Sequence, residues 1–171
     1  NPVLGRFSVQ NADTRSYGAE LEAIARPTDA ISLGASLALL SAEITGGNAL
    51  IKGNDVPYAP AFSTMLHAEY RHDMALGAHE GEAYLRGEWS YTGSRAIDPA
   101  NSRTLDGYAL ANLRAGWQGQ RWQIAAAVEN LFDESYVTSG FQAGTGTTGA
   151  PVFAGIPGEG RTFTLSARVK F

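Results

Sequence analysis

From Arg161 to Phe171 the chain alternates without a miss. Phe163, Leu165, Ala167, Val169 and Phe171 are apolar, and Thr162, Thr164, Ser166, Arg168 and Lys170 stand between them. Successive side chains point to opposite faces of a strand, so this period of two makes one face oily and the other hydroxylated and cationic. The segment has the length of about ten residues that a tilted strand needs to cross the hydrocarbon core of a membrane. It ends on an aromatic, the residue type that settles at the membrane interface.

The same period recurs upstream. Arg6 to about Arg26 reads as one long strand, with Ala19, Leu21 and Ala23 on one face and Glu20, Glu22 and Arg26 on the other. Ile31, Leu33, Ala35, Leu37 and Leu39 alternate with polar or small residues, and the pattern blurs near Leu40-Ser41, where a bulge is expected to shift the register. Phe62, Thr64, Leu66, Ala68 and Tyr70 oppose His67, Glu69 and Arg71; Ala83, Leu85, Gly87, Trp89 and Tyr91 oppose Glu82, Tyr84, Arg86 and Glu88. Leu113, Ala115 and Trp117 run into Gln118-Gly119-Gln120-Arg121, after which Trp122, Ile124, Ala126 and Val128 continue. A two-residue turn centred on Gly119-Gln120 pairs Gln118 with Arg121 and sets Trp117 opposite Trp122, both indoles on one face, as in an interfacial aromatic girdle.

These segments make seven strands. Their connections alternate: Pro27–Asp29, Asp73–Gly81 and Gln118–Arg121 fall on one side, and the longer, glycine-rich Gly46–Tyr58, Gly93–Asp106 and Asp133–Gly160 on the other. Short turns on one side and long loops on the other are the pattern of an all-β, antiparallel transmembrane β-barrel in an outer membrane. Trp117, Trp122, Tyr70 and Phe171 are then expected in one band at the periplasmic interface. A second count remains open: with Asn11–Thr14 as a turn, Val3–Val9 becomes a strand of its own and an eight-stranded small barrel results.

Composition narrows the choice. The 171 residues contain no Cys and carry a formal charge of -4, which removes disulfides and thiolate metal sites and disfavours a nucleic-acid partner, since that calls for a basic patch. No apolar run reaches the length of a membrane helix. The chain opens Asn1-Pro2 without a basic-then-apolar leader, so a preceding segment is expected.

Val128-Glu129-Asn130-Leu131-Phe132-Asp133, then Tyr136, a long Gly-rich loop and a closing alternating strand ending in Phe171, resemble the C-terminus of a TonB-dependent outer-membrane receptor. Gly18-x-Glu20-x-Glu22 and Pro57-x-x-Pro60 before the strand ending at Tyr70 are weaker echoes of the same family. The resemblance implies that residues 1–171 are the C-terminal seven or so strands of a barrel of about 22 strands closed around an N-terminal plug. The partners it implies are the plug and earlier strands of the same receptor, the TonB complex acting through that plug, the lipid bilayer, and a small-molecule ligand such as a metal-siderophore complex. It also implies the outer membrane of a Gram-negative bacterium, recognition rather than catalysis, no cofactor, and a C-terminal Phe171 that the barrel-assembly machinery reads. A passive porin or small structural barrel, and an outer-membrane barrel enzyme, are the other readings. A soluble ligand-binding barrel would turn its apolar face inward and bury Trp117 and Trp122.

Ligand contacts are expected from the three long loops. Asp133–Gly160 is the longest, and Phe141 and Phe153 are its bulky aromatics, placed either to stack on a ligand or to pack the loop over the barrel mouth. Arg95 and Arg103 in the preceding loop are candidates for an anionic complex, with Asp98 and Asp106 nearly cancelling their charge. Gly144 to Gly149 matches GxGxxG, yet Pro151 and a second Gly/Pro cluster follow, so the helix N-terminus that a dinucleotide site needs is not expected. His67 and His72 face opposite sides of one strand and His79 lies in a turn, so no metal site is read from them. The inward Glu20, Glu22, Glu69, Glu82, Glu88, Arg71, Arg86, Arg114 and Arg168 read as a hydrated lumen with charges paired across strands rather than as acid-base catalysts.

Overall fold

The computed structural model describes residues 11–170. Its strands are β1 (Thr14–Thr28), β2 (Ile31–Ile44), β3 (Phe62–Asp73), β4 (Gly81–Thr92), β5 (Arg95–Ala96), β6 (Thr104–Leu105), β7 (Tyr108–Gly119), β8 (Trp122–Glu129), β9 (Val137–Thr145), β10 (Pro151–Pro157) and β11 (Thr162–Val169). Seven of them form one sheet in the order β1-β2-β3-β4-β7-β8-β11, and every pairing is antiparallel. The remaining four make two small hairpins, β5–β6 and β9–β10, inside the connections at one end.

Register follows from the period of two. One cross-sheet row runs Ile31, Tyr70, Leu85, Ala115, Ala126 and Leu165, and its neighbour runs Ser32, Glu69, Arg86, Arg114, Ala127 and Thr164. A slip of one residue at β1, β3, β4, β7, β8 or β11 would put charge among the aliphatic side chains, so burial of one face in hydrocarbon holds these pairings in place. The apolar face carries little protein over it: Leu165 is 80% exposed and Phe163 72%. The polar face carries ion pairs across and along strands: Arg71 meets Glu69 and Glu82, each at 2.6 Å, and Arg86 meets Glu88 at 2.6 Å and Glu69 at 3.7 Å. Among the described residues Glu20, Glu22, Arg114 and Arg168 form no such pair, so pairing among the expected lumen charges is confined to β3 and β4, while Arg15 and Glu43 pair at 3.4 Å across β1 and β2.

Several expectations require correction. The β7–β8 turn is centred on Gln120-Arg121, with Gln118 paired to Gln123 and Trp117 to Ile124, two residues away from the expected register. Gly119 is used for packing instead of the turn: a Cβ there would lie 2.4 Å from the Trp117 ring, and one at Gly81 also 2.4 Å from it. The indole therefore lies across both glycines. A shift of two preserves parity, so Trp117 and Trp122 still share a face. No bulge interrupts Leu40-Ser41, where pairing with Gly18 and Tyr17 is continuous; the irregularity lies at Ala25/Thr28 beside the turn. At Gly18 a Cβ would come within 2.2 Å of the Leu39 carbonyl oxygen, a close backbone approach that only glycine permits. The Gly93–Asp106 and Asp133–Gly160 loops each contain a hairpin. Val3–Val9, on which the eight-strand count depends, and Phe171 lie outside the described residues.

The buried apolar side chains among the described residues do not lie mid-sheet. Ile44, Ala96, Ile97 and Leu105 cluster at the end with the long connections, and Trp117 lies at the opposite end. The sheet thus leaves its wide faces to lipid and lumen and packs protein against protein only at its rims. In the full receptor held in lipid vesicles, Leu165→Arg is expected to cost about 2–4 kcal/mol of unfolding free energy, and Ser166→Arg on the other face well under about 1. Equal losses in denaturant titrations of the two variants would reverse the assignment of faces.

Candidate functional site

The long connections come together at one end of the sheet, and the left-handed residues are the reason they can. Tyr58, Asn101, Asn130 and Asp133 have φ between +50° and +59°, and all four lie in these connections. Such a conformation costs a non-glycine residue of the order of 1 kcal/mol or more unless its surroundings hold it. Here each side chain is held. The Tyr58 hydroxyl donates to the Gly140 carbonyl at 2.5 Å. Asn101 accepts from the Asp55 amide at 2.8 Å and donates to the carbonyls of Asp55 and Asp98. Asp133 accepts from the Arg161 amide at 2.9 Å.

Asn130 is the most deeply held, only 5% exposed. Its side-chain nitrogen donates to the carbonyls of Glu134 and Glu159, and its oxygen accepts from the Glu134 amide. Asn112 on β7 in turn accepts from the Asn130 amide. One amide thus joins both feet of the connection from 130 to 161. A branched or longer side chain could not reach both while keeping a left-handed backbone, which explains Asn at this position in the Asn-Leu-Phe-Asp segment.

Arg95 is 7% exposed. Its Nη2 donates to the carbonyls of Val137 and Thr138 at 3.0 and 2.7 Å, and its guanidinium lies 5.4 Å from the centre of the Tyr108 ring. Tyr108 packs on Tyr136 at 4.3 Å between ring centres, and Tyr136 lies over Gly158. Between β6 and the β9–β10 hairpin opens a cleft of about 400 Å³ whose walls include Arg103, Asp106, Tyr108, Glu134, Tyr136 and Phe153. The Arg103 guanidinium stands 5.3 Å over the Phe153 ring, a cation–π contact at the cleft wall.

The four expected ligand residues are therefore placed differently from one another. Arg103 and Phe153 are brought together at the cleft. Arg95 points into the protein and ties two loops. Phe141 pairs with Ala154 while Phe153 pairs with Gln142, so the two aromatics lie on opposite faces of their hairpin; Phe141 is 55% exposed. The GxGxxG stretch is the tip of that hairpin and leads into strand β10, not a helix. Tyr58, Asn101, Tyr108 and Tyr136 were not singled out from the sequence as loop ties, although Tyr58 sits in the Pro57-x-x-Pro60 segment and Tyr136 in the terminal motif. At the other end Tyr70, Trp117 and Trp122 share the apolar face, near the short turns. His72 stacks on Tyr70 with 6.3 Å between ring centres, and His67 lies over Gly34 on the opposite face.

The family described as TonB dependent receptor-like, beta-barrel, matches residues 1–131. The chain belongs to the TonB-dependent receptor family. The ferrichrome outer membrane transporter/phage receptor of Escherichia coli (strain K12) is 32% identical over 148 residues, covering 82% of this chain and 19% of that protein. The pesticin receptor of Yersinia enterocolitica is 28% identical over 170 residues, covering 98% of this chain and 24% of its own length. The crystal structure of the ferric yersiniabactin uptake receptor from Yersinia pestis superposes with a TM-score of 0.82 at 25% identity, over 94% of this chain and 24% of that one. The chain thus spans 19% to 24% of the length of these relatives.

For a TonB-dependent receptor segment of this kind, the loop anchor is directly testable. Asn130→Ala strands one buried amide and two carbonyls and is expected to cost the full receptor about 1–3 kcal/mol. Amide exchange within 131–160 should accelerate while exchange in β2 and β3 stays unchanged. Uniform exchange behaviour across both regions would show that Asn130 does not anchor the loop.

Proposed function

We propose that this chain forms part of the extracellular mouth of an active transporter in the outer membrane of a Gram-negative bacterium. In this reading the receptor takes up a scarce solute, most of all a ferric siderophore, and draws the energy for release from TonB through a plug domain. The observation that carries the reading is the braced cleft at the end with the long connections, where several aromatics, the Arg103 cation and the Asp106 and Glu134 carboxylates surround a space of about 400 Å³. Outer-membrane barrels present their longer loops to the medium, so this end meets solutes first. Arg103 supplies a positive charge beside the carboxylates of Asp106 and Glu134, and Phe153, Tyr108 and Tyr136 supply aromatic surface.

The names of the relatives support the same class, since they include a ferrichrome transporter and a ferric yersiniabactin uptake receptor. Arg103 and Phe153 are assigned as direct contacts. Arg95 acts behind them, as the residue that sets the hairpin against β5–β6. Phe141, on the opposite face of the hairpin, points away from this cleft and is assigned no contact with a ligand held there. Tyr70, Trp117, Trp122 and Phe171 are assigned to the periplasmic interface, and the plug and earlier strands complete the barrel. No residue is assigned a catalytic role.

Uptake of a panel of iron-loaded siderophores by cells carrying the full receptor, with surface amounts matched, tests the assignment. Arg103→Ala and Phe153→Ala are each expected to weaken binding about tenfold, equal to about 1.4 kcal/mol. Undiminished affinity in Phe153→Ala and Arg103→Ala alike would remove these loops from the site.

A further inference from the structure

The connection between β3 and β4 is itself an ordered hairpin. Met74 donates its amide to the Gly81 carbonyl, and Leu76 and His79 exchange both backbone bonds at 2.9 and 3.1 Å, so the two strands continue into a small hairpin around Gly77, whose φ is +62°. This hairpin is bound to the apolar face: the Trp117 indole nitrogen donates to the Met74 carbonyl at 2.7 Å, leaving Trp117 6% exposed. Ala78, His79 and Glu80 stand with Trp117, Arg121 and Trp122 around one shallow cleft on that side. The apolar side chains Met74 and Leu76 remain exposed, at 40% and 41%. By strand parity Met74 lies on the face of Tyr70, in line with Leu85 and Trp122, each itself exposed between 44% and 48%.

We propose that residues 74–80 form a lip that lies in the lipid headgroup layer, with Met74 and Leu76 reaching toward the acyl chains and His79, Glu80 and Arg121 at headgroup level. The occupant is the bilayer, because the exposed apolar surface of the lip is continuous with the lipid-facing band of the barrel. Its composition also fits: apolar side chains beside an indole, backed by charges of both signs, is what a membrane interface accepts. Trp117 then has a structural role. It is the hinge pin that turns the lip outward, with Gly81 and Gly119 providing the space for its ring. The inference rests on the outer-membrane reading of the sheet.

The segment contains no Cys, so a single thiol can be placed at will within it. The full receptor, in vesicles of phosphatidylethanolamine and phosphatidylglycerol, is labelled with an environment-sensitive fluorophore at Leu76→Cys. Leu165→Cys on the lipid face and Lys52→Cys in a long loop serve as references. Emission from position 76 is expected to shift to the blue and to be quenched by lipids with a nitroxide near the headgroup, and to resist aqueous iodide. Iodide quenching at 76 equal to that at 52, or protection at 76 from both iodide and nitroxide lipids, would overturn the lip, the latter showing protein cover instead. Absence of lipid quenching at 165 would count against the barrel reading itself and so is distinguishable. A Met74→Cys label reads out the same lip where the Leu76 variant assembles poorly, and Trp117→Phe, which keeps an aromatic side chain and loses the bond to Met74, is expected to raise iodide access at 76.

Discussion

A strand in hydrocarbon has no water to satisfy its peptide groups, so each amide and carbonyl must find a partner in the neighbouring strand. That requirement makes the long antiparallel ladder the element on which everything else depends. β2, β3, β4, β7 and β8 meet it in simple chain order, each paired with the strand before and after it in the sheet, and β1 and β11 stand at the two edges, each paired on one side among the described residues. Because the ladder supplies the backbone hydrogen bonds, the side chains are free to differ on its two faces. One face is aliphatic and aromatic, and the other carries the Arg71 and Arg86 ion pairs. A soluble domain would place its core between layers. Here the wide faces are left to the surroundings, and tight packing occurs at the rims.

Glycine and aromatic residues work as pairs across this sheet. His67 lies over Gly34, Tyr84 over Gly116, Trp117 over Gly81 and Gly119, and Tyr136 over Gly158. In each case the missing Cβ is where the ring sits. A glycine weakens a strand by leaving nothing to pack, and a neighbouring ring laid flat on the backbone restores that contact. Such pairs also hold aromatic rings close to the sheet, which lets Trp117 reach the Met74 carbonyl and hold the β3–β4 connection.

Long loops over an open mouth carry an entropic cost, and this chain offsets it by tying the loops to one another. Asn101 joins the first long connection to the second, Tyr58 joins the first to the third, and Arg95 joins the second to the third. The ties are side chain to backbone, so they hold the path of the chain and leave ring faces and the Arg103 charge available. Recognition on a rigid scaffold needs that division between residues that brace and residues that touch.

The period of two was legible in the sequence because lipid on one side and water on the other impose it on every residue of a spanning strand. The seven strands of the large sheet among the described residues, and the opposite facing of Leu165 and Ser166, follow from that pattern. The Asn130 to Asp133 segment likewise pointed to its family. Other features depend on contacts between residues distant in sequence, and no local pattern encodes them. The β7–β8 register was misplaced by two because Gly119 resembles a turn residue until the Trp117 ring is seen to fill its space. Arg95 and Arg103 look alike as loop cations, yet one is buried against Val137 and Thr138 and the other stands at the cleft beside Phe153, a difference created by the fold of the β9–β10 hairpin. Local alternation selects which face a side chain takes; only the meeting of loops far apart along the chain decides which of those side chains a solute can reach.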